Sequence, residues 1–281
     1  MTAVTTERHL PTPTLRVAAA QAEAVPGALS HNASTGAELV DRATANGARL
    51  VVLPELFLPG YHPPTLAADP RATDVVAAPD GSVDDVRLDA LRHSASRANA
   101  VVVVGAAVRA SDGRRHLSAL VVQPDGAVRE AYRKQYLCGT EERSLFDAGS
   151  AGSAVTVDGW VLGLGICYDG CFPEHARAAA LAGAHVYVCP SAYLVGSGHR
   201  REIYYRARAV ENGMFVVLAD AVGGPSPWRF GGGSAIYDTE GRPLAQATEG
   251  VSAVVVADLD LDLLTATRQT HTMLADLAAG S

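Results

Sequence analysis

Short apolar runs alternate with longer, Ala-rich segments along most of this chain. The short runs are rich in Val, Leu and Ile, which is typical of buried strands, and the longer segments repeat apolar residues at helical spacing. The pattern predicts strands over residues 15–20, 50–53, 101–107, 118–123, 160–166, 186–189, 215–219, 234–237 and 251–259. It predicts helices over residues 28–46, 83–99, 173–182 and 199–212.

Turn residues separate these elements and indicate how they connect. The segments 124–126 (Pro-Asp-Gly) and 238–241 (Asp-Thr-Glu-Gly) are typical of hairpin connections. Elsewhere the strand–helix–strand spacing indicates crossovers between parallel strands, so a mixed sheet is expected. A chain of 281 residues with 48% hydrophobic content can bury one large core, and the sequence therefore predicts one α/β domain of layered sheets and helices.

The main domain is predicted to occupy residues 14–262. A flexible N-terminal tail is expected at residues 1–13, and a C-terminal extension at residues 263–281. The N-terminal stretch is rich in Thr and Pro and has no apolar segment of the kind found in secretory signals.

Charge and cysteine content argue against several classes of function. With a net charge of −7 and no cluster of Lys and Arg, the chain is not expected to bind nucleic acid or an anionic membrane surface. No apolar run approaches the roughly 18 residues that a transmembrane helix needs. Four cysteines, none in a Cys-x-x-Cys pair, favour a reducing, cytoplasmic location, and their spacing fits no zinc pattern. Neither a metal nor another cofactor is expected.

Three side chains with complementary chemistry each follow an apolar run. Cys167 ends the run 160–166 and precedes a turn into the predicted helix that starts at Pro173. A thiol held in this way points rigidly into a crevice, which is where a nucleophile is expected. Glu55 follows the run 50–53, and Lys134 comes after the strand predicted at 118–123.

The order Glu55, Lys134 and Cys167, with spacings of 79 and 33 residues, resembles the carbon-nitrogen hydrolase family, the nitrilase superfamily. The segments 172–174 (Phe-Pro-Glu) and 208–212 (Arg-Ala-Val-Glu-Asn) add to the resemblance, which covers roughly residues 15–258. It implies an α-β-β-α sandwich of two mixed sheets flanked by helices, with residues 14–262 as the carbon-nitrogen hydrolase domain.

The residue types suit hydrolysis of an amide. This reaction needs a nucleophile, a group that moves protons and a positive group for the developing oxyanion, which Cys167, Glu55 and Lys134 supply in turn. Lys134 is expected to lower the thiol pKa while Glu55 takes the proton. The resemblance implies that the backbone N–H of Tyr168 joins Lys134 in binding the oxyanion. It also implies that Glu55 protonates the departing ammonia and activates the water that hydrolyses a thioester on Cys167.

The resemblance further implies a second glutamate that holds Lys134. Glu142 is predicted for this role, but a register slip of one residue would select Glu141 instead. The substrate pocket is expected to include Tyr61, Tyr193 and Trp228.

The expected substrate is a small aliphatic, possibly ω-amino, primary amide, because Tyr168-Asp169 after the cysteine resembles the amide-cleaving branches rather than the true nitrilases. No pattern decides between an amine and a carboxylate on the substrate. An N-carbamoyl amine or amino acid amidohydrolase, with Arg229 as a polar clamp, and a non-catalytic binding homologue are the alternatives.

The predicted helix at 199–212 is expected to form the interface of a homodimer or higher homo-oligomer. Ile203, Tyr204, Ala207 and Val210 recur at helical spacing along it. The resemblance also implies dimerisation through this region.

Overall fold

Apolar strands build two stacked sheets in the computed structural model, which describes residues 10–280. The strands are β1 (Thr14–Gln21), β2 (Leu50–Val52), β3 (Asp74–Val76), β4 (Val101–Arg109), β5 (Arg115–Val122), β6 (Val128–Arg133), β7 (Ala154–Val157), β8 (Trp160–Leu164), β9 (Val186–Ser191), β10 (Phe215–Asp220), β11 (Val222–Gly223), β12 (Phe230–Gly231), β13 (Ala235–Tyr237), β14 (Pro243–Gln246) and β15 (Ala253–Asp260). The helices are α1 (Leu29–Ala45), α2 (Pro63–Ala68), α3 (Pro70–Thr73), α4 (Asp89–Ala98), α5 (Gly139–Leu145), α6 (Pro173–Leu181), α7 (Gly198–Asn212), α8 (Leu261–Thr270) and α9 (Met273–Ala279), with 3-10 turns at Val86–Leu88 and Cys167–Cys171.

Both sheets are mixed. The first has the order β15-β1-β2-β4-β5-β6, with β3 beside β4, and the second has the order β14-β13-β10-β9-β8-β7. In each sheet the central strands are parallel, β1 with β2 and β4, and β8 with β9 and β10. Antiparallel strands complete the edges, as where β15 pairs with β1.

Successive side chains of a strand point to opposite faces of its sheet, and the core is therefore divided into three layers. Val17 and Ala19 of β1 point between the two sheets, in the same core layer as Val217 and Ala219 of β10. Ala18, on the opposite face of β1, packs in the layer that the first sheet shares with α1 and α4. Residues of α6 and α7 cover the outer face of the second sheet. The predicted α-β-β-α sandwich is confirmed.

The structure differs from the predicted elements mainly at short or polar segments. The predicted helix at 83–99 begins later, because the Asp85 side chain accepts the N–H of Arg87 and starts a 3-10 turn that leads into α4. The pattern missed several elements because they are short, partly exposed or interrupted by charges. These are β3, β6, β7, β11, β12, β14, α2, α3, α5, α8 and α9.

Both ends of the described chain contact the sandwich. Residues 1–9 of the predicted tail lie outside the described residues, whereas the Thr12 N–H donates to the Asp158 carbonyl at 3.0 Å. In the predicted extension, Arg268 donates to the carbonyls of Gly213 and Ala184. The predicted domain boundaries stay predictions.

Within residues 10–280, no helix combines the length and apolar character needed to cross a bilayer.

Gly105 allows β4 to pass directly against the loop that follows β2. A Cβ at this position would lie 2.6 Å from the Glu55 Cα and would overlap the backbone of Pro54 and Leu56. The Gly105 N–H instead donates to the Pro54 carbonyl at 3.0 Å. Only glycine leaves room for this contact, which fixes where Glu55 leaves the sheet.

Candidate active site

The predicted catalytic side chains converge where strands of the two sheets end. Glu55 follows β2 and Cys167 follows β8. Lys134 follows β6, a strand that the sequence pattern missed, rather than the strand predicted at 118–123. The Glu55 N–H reaches the Ser191 carbonyl of β9 at 3.4 Å, so the backbone of one sheet contacts the other at this point.

The Lys134 ammonium lies between two carboxylates. Its Nζ donates to Glu55 Oε1 at 2.7 Å and to both carboxylate oxygens of Glu142 at 2.8 Å. All three residues are buried, with at most 2% of their surface exposed. Ion pairs in such a place are costly to desolvate and must be closely matched in geometry.

Glu142, rather than Glu141, is the glutamate that contacts Lys134. Its carboxylate also accepts the Tyr61 hydroxyl at 2.7 Å and the Cys138 N–H at 2.8 Å. Glu141 is exposed and its carboxylate accepts only the Thr140 hydroxyl, at 3.1 Å, among the hydrogen bonds of the described residues. Adjacent residues point in different directions on a helix, so α5 can present only one of them to the lysine.

Cys167 begins the 3-10 turn Cys167–Cys171 in a strained conformation. Its φ is +44°, in the left-handed region that residues other than Gly and Asn rarely adopt. Tyr205 of α7 donates its hydroxyl to the Cys167 carbonyl at 3.0 Å. Arg208 donates to the carbonyls of Gly170 and Cys171 at 2.8 and 3.0 Å. Helix α7 therefore holds the turn, which gives a function to the arginine of the 208–212 motif.

Asp169 connects the lysine loop to the cysteine turn, a function that the sequence reasoning missed. This fully buried carboxylate accepts the Tyr136 N–H at 2.9 Å, the Ile166 N–H at 2.9 Å and the Tyr132 hydroxyl at 2.7 Å. One acceptor thereby fixes the residue before Cys167 and a residue two positions after Lys134. The only signal in the sequence was its place in the Tyr168-Asp169 pair.

Burial controls the ionisation of the site. It raises the pKa of the Cys167 thiol well above its usual value; the Glu55 carboxylate raises it further, and Lys134 and the Ala192 N–H only partly oppose these effects. The expected lowering of this pKa by Lys134 is therefore outweighed. Burial also opposes charge on Lys134, but Glu55 and Glu142 prevail and raise the pKa of its ammonium.

Burial raises the pKa of Glu55 to about 8, against the opposing effect of Lys134. A hydrogen bond with Cys167 acts in the lowering direction, so the thiol faces this carboxyl group. Glu55 Oε2 has no hydrogen-bond partner among the described residues. The second oxygen of Glu55 is thus available to accept a proton from the sulfur.

A cavity of about 320 Å³ opens beside Cys167. The three predicted pocket residues, Tyr61, Tyr193 and Trp228, all line it, and Tyr168 lines it as well. Arg229 is exposed and does not contribute to the lining.

Within residues 10–280, no group of three or more His, Cys, Asp or Glu side chains is arranged to hold a metal ion.

Comparisons with known proteins agree with this geometry. The sequence profile of the carbon-nitrogen hydrolase family matches residues 16–269. An (R)-stereoselective amidase from Pseudomonas sp. is 35% identical over 81% of this chain and 78% of its own length. A nitrilase from Pyrococcus abyssi is 34% identical over 83% of this chain and 85% of its own length. The crystal structure of an amidase from Nesterenkonia sp. superposes with a TM-score of 0.78, at 29% identity, over 93% of this chain and 96% of that one.

The chain belongs to the carbon-nitrogen hydrolase family, the nitrilase superfamily. It is an amidase-like hydrolase that acts on carbon-nitrogen bonds. The alternative of a non-catalytic homologue is therefore not favoured.

The contacts of Asp169 generate a prediction. Asp169→Asn keeps the size of the side chain but replaces one acceptor oxygen by an NH₂ donor. This NH₂ faces a group that is itself a hydrogen-bond donor. A buried donor that loses its acceptor in this way costs about 1–3 kcal/mol of stability. We expect a lower melting temperature and at least a roughly tenfold lower kcat, since both loops lose their common anchor. The matched control is Asp262→Asn, an exposed residue of α8. Unchanged unfolding and turnover in Asp169→Asn would contradict this role.

Proposed function

We propose that this hydrolase cleaves small aliphatic primary amides to the carboxylic acid and ammonia through a thioester on Cys167. The observation that carries the proposal is the buried Glu55–Lys134–Glu142 cluster facing a neutral thiol at the base of a small cavity. The Nesterenkonia amidase supports it, because structures of that protein contain butyramide in a cysteine-to-alanine variant and the acetamide moiety of fluoroacetamide added covalently to the active-site cysteine of another variant.

In the proposed acylation step, Glu55 Oε2 accepts the thiol proton as the sulfur attacks the amide carbonyl. The thiol has a raised pKa, so this transfer occurs during attack rather than before it. The Lys134 ammonium and the backbone N–H of Tyr168 stabilise the oxyanion. When the tetrahedral intermediate collapses, protonated Glu55 delivers its proton to the nitrogen, and ammonia leaves as the thioester forms.

In the proposed deacylation step, Glu55 removes a proton from water, which attacks the thioester. The carboxylic acid leaves, and the sulfur recovers its proton from Glu55. Glu142 keeps Lys134 in place throughout, since it contacts the ammonium with both oxygens. The cycle consumes one amide and one water and releases one acid and one ammonia.

An N-carbamoyl amidohydrolase remains the alternative enzyme activity. That reaction was expected to use Arg229 as a clamp for the far end of the substrate. Arg229 is exposed outside the cavity lining, and no observation favours this alternative over simple amides.

The proposed chemistry is tested by trapping and by substrate comparison together. Amide, nitrile and N-carbamoyl substrates of one chain length are compared at one pH by ammonia release, while intact-mass spectrometry detects the acyl adduct. We expect at least a tenfold preference for the amide over the nitrile in kcat/KM, equivalent to about 1.4 kcal/mol of transition-state stabilisation.

Cys167→Ala is expected to abolish both turnover and the adduct, because the whole covalent path is lost. The control Cys138→Ala, which changes an exposed thiol, is expected to form the adduct still. An adduct on Cys167→Ala would refute the nucleophile. Faster nitrile or carbamoyl turnover would refute the amide assignment.

The raised pKa of Glu55 predicts the pH dependence of turnover. Glu55 must be ionised to accept the thiol proton, so kcat/KM is expected to fall as the pH is lowered through about 8, rather than near the ordinary value of 4.5. Measuring kcat/KM between about pH 5 and 9 locates this fall, the acidic limb of the pH profile. Glu55→Gln is expected to lose the limb and at least about a hundredfold in rate. A wild-type limb near the ordinary carboxyl value would contradict the assignment of Glu55 as the base.

We also propose a homodimer that associates through α7, and a cytoplasmic location. Ile203 and Val210 are exposed apolar residues on this helix, whereas Tyr205 faces the core. Burying such residues against a second copy would remove apolar surface from water. A dimeric mass in solution at micromolar concentration is expected, and I203D is expected to shift it toward the monomer. A monomeric mass for the unmodified protein would exclude this interface.

A further inference from the structure

The cavity beside Cys167 has aromatic walls and a single charged residue. Tyr61 packs against Phe230 with ring centroids 5.1 Å apart, and Trp228 packs edge-on against His62 at 5.2 Å, so the walls are held by their own contacts. Among the described residues that line the cavity, Glu141 is the only one with a charged side chain, and no Lys, Arg or His contributes.

This lining distinguishes between the possible ends of a substrate. A carboxylate at the end remote from the amide would lose hydration, meet no cation in the lining and face the negative charge of Glu141. An ammonium group would find the Glu141 carboxylate and several aromatic rings, both of which attract cations. The net charge of −7 acts in the same direction during approach of the substrate.

Arg200 is one cation near the mouth of the cavity that would attract a substrate carboxylate. It lies on the first turn of α7, close enough to Cys171 and Tyr193 to interact with them electrostatically. Its guanidinium donates to the Tyr204 hydroxyl at 2.8 Å and lies over that ring at 5.8 Å. Arg200 is thus engaged on the outside of α7 and is not part of the lining.

We propose that the preferred substrate is a short primary amide with an amine at its far end, whose ammonium group is held by Glu141 and the aromatic walls. The inference rests on the proposed amide hydrolysis and adds the charge of the substrate. It also assigns different tasks to neighbouring glutamates: Glu142 faces inward to Lys134, and Glu141 faces the cavity.

The test is a series of three primary amides of equal chain length that end in an ammonium, a methyl or a carboxylate group. We expect kcat/KM to decrease in that order, with at least about a tenfold difference between the ammonium and carboxylate amides. The preference for the ammonium amide over the methyl amide is expected to decrease with added salt, because Glu141 is exposed and its charge is screened.

Variants of Glu141 locate the contact. Glu141→Gln is expected to reduce the ratio of kcat/KM for the ammonium amide to that for the methyl amide at least about threefold, and Glu141→Lys is expected to favour the carboxylate amide. The matched control is Glu38→Gln, which removes the same charge from an exposed position on α1 and should leave the ratio unchanged.

The outcomes separate this inference from the proposed function. If none of the three amides is hydrolysed, the proposed amide hydrolysis itself fails. If amides are hydrolysed but the methyl or carboxylate amide is preferred, only the amine inference fails. An unchanged ratio in Glu141→Gln would likewise overturn the assignment of the ammonium contact to this residue.

Discussion

The buried ammonium of Lys134 is the interaction on which the rest of the site depends. One positive charge faces two carboxylates in a place without solvent exposure, so the cluster carries excess negative charge when both are ionised. Removing a partner from such a cluster leaves an uncompensated buried charge, which costs far more than the loss of a surface pair. The Tyr61 hydroxyl and the Cys138 N–H are needed because they supply the further donors that Glu142 requires.

The packing of the two sheets determines whether this cluster meets the sulfur. Glu55 and Lys134 leave the first sheet, whereas Cys167 leaves the second. Polar contacts join these parts near the reacting atoms, among them the Glu55 N–H to the Ser191 carbonyl and Asp169 to the loop after Lys134. The relative positions of these side chains are therefore fixed by the core between the sheets, because packed interiors resist deformation.

The sequence predicted the parts of the structure that depend on local pattern. The continuous apolar runs of β4 and β9 were found because both faces of these strands are buried. β6 was missed because charged residues interrupt it, and the strand before Lys134 was misplaced as a result. Asp169 could not be recognised as a connector, since Tyr132 and Tyr136 approach it only through the fold. The choice between Glu141 and Glu142 needed the orientation of α5, which no pattern in that loop encodes.

Burial raises the pKa of the Cys167 thiol, which favours the less reactive, protonated form between catalytic cycles. Peroxides and general alkylating agents react with thiolates far faster than with thiols. Under the proposed mechanism the sulfur gains negative charge only as it attacks the substrate carbonyl, so it would be a poor target for oxidants that enter the cavity. Desolvation of the thiol, which at first sight works against catalysis, would thus also slow its oxidation.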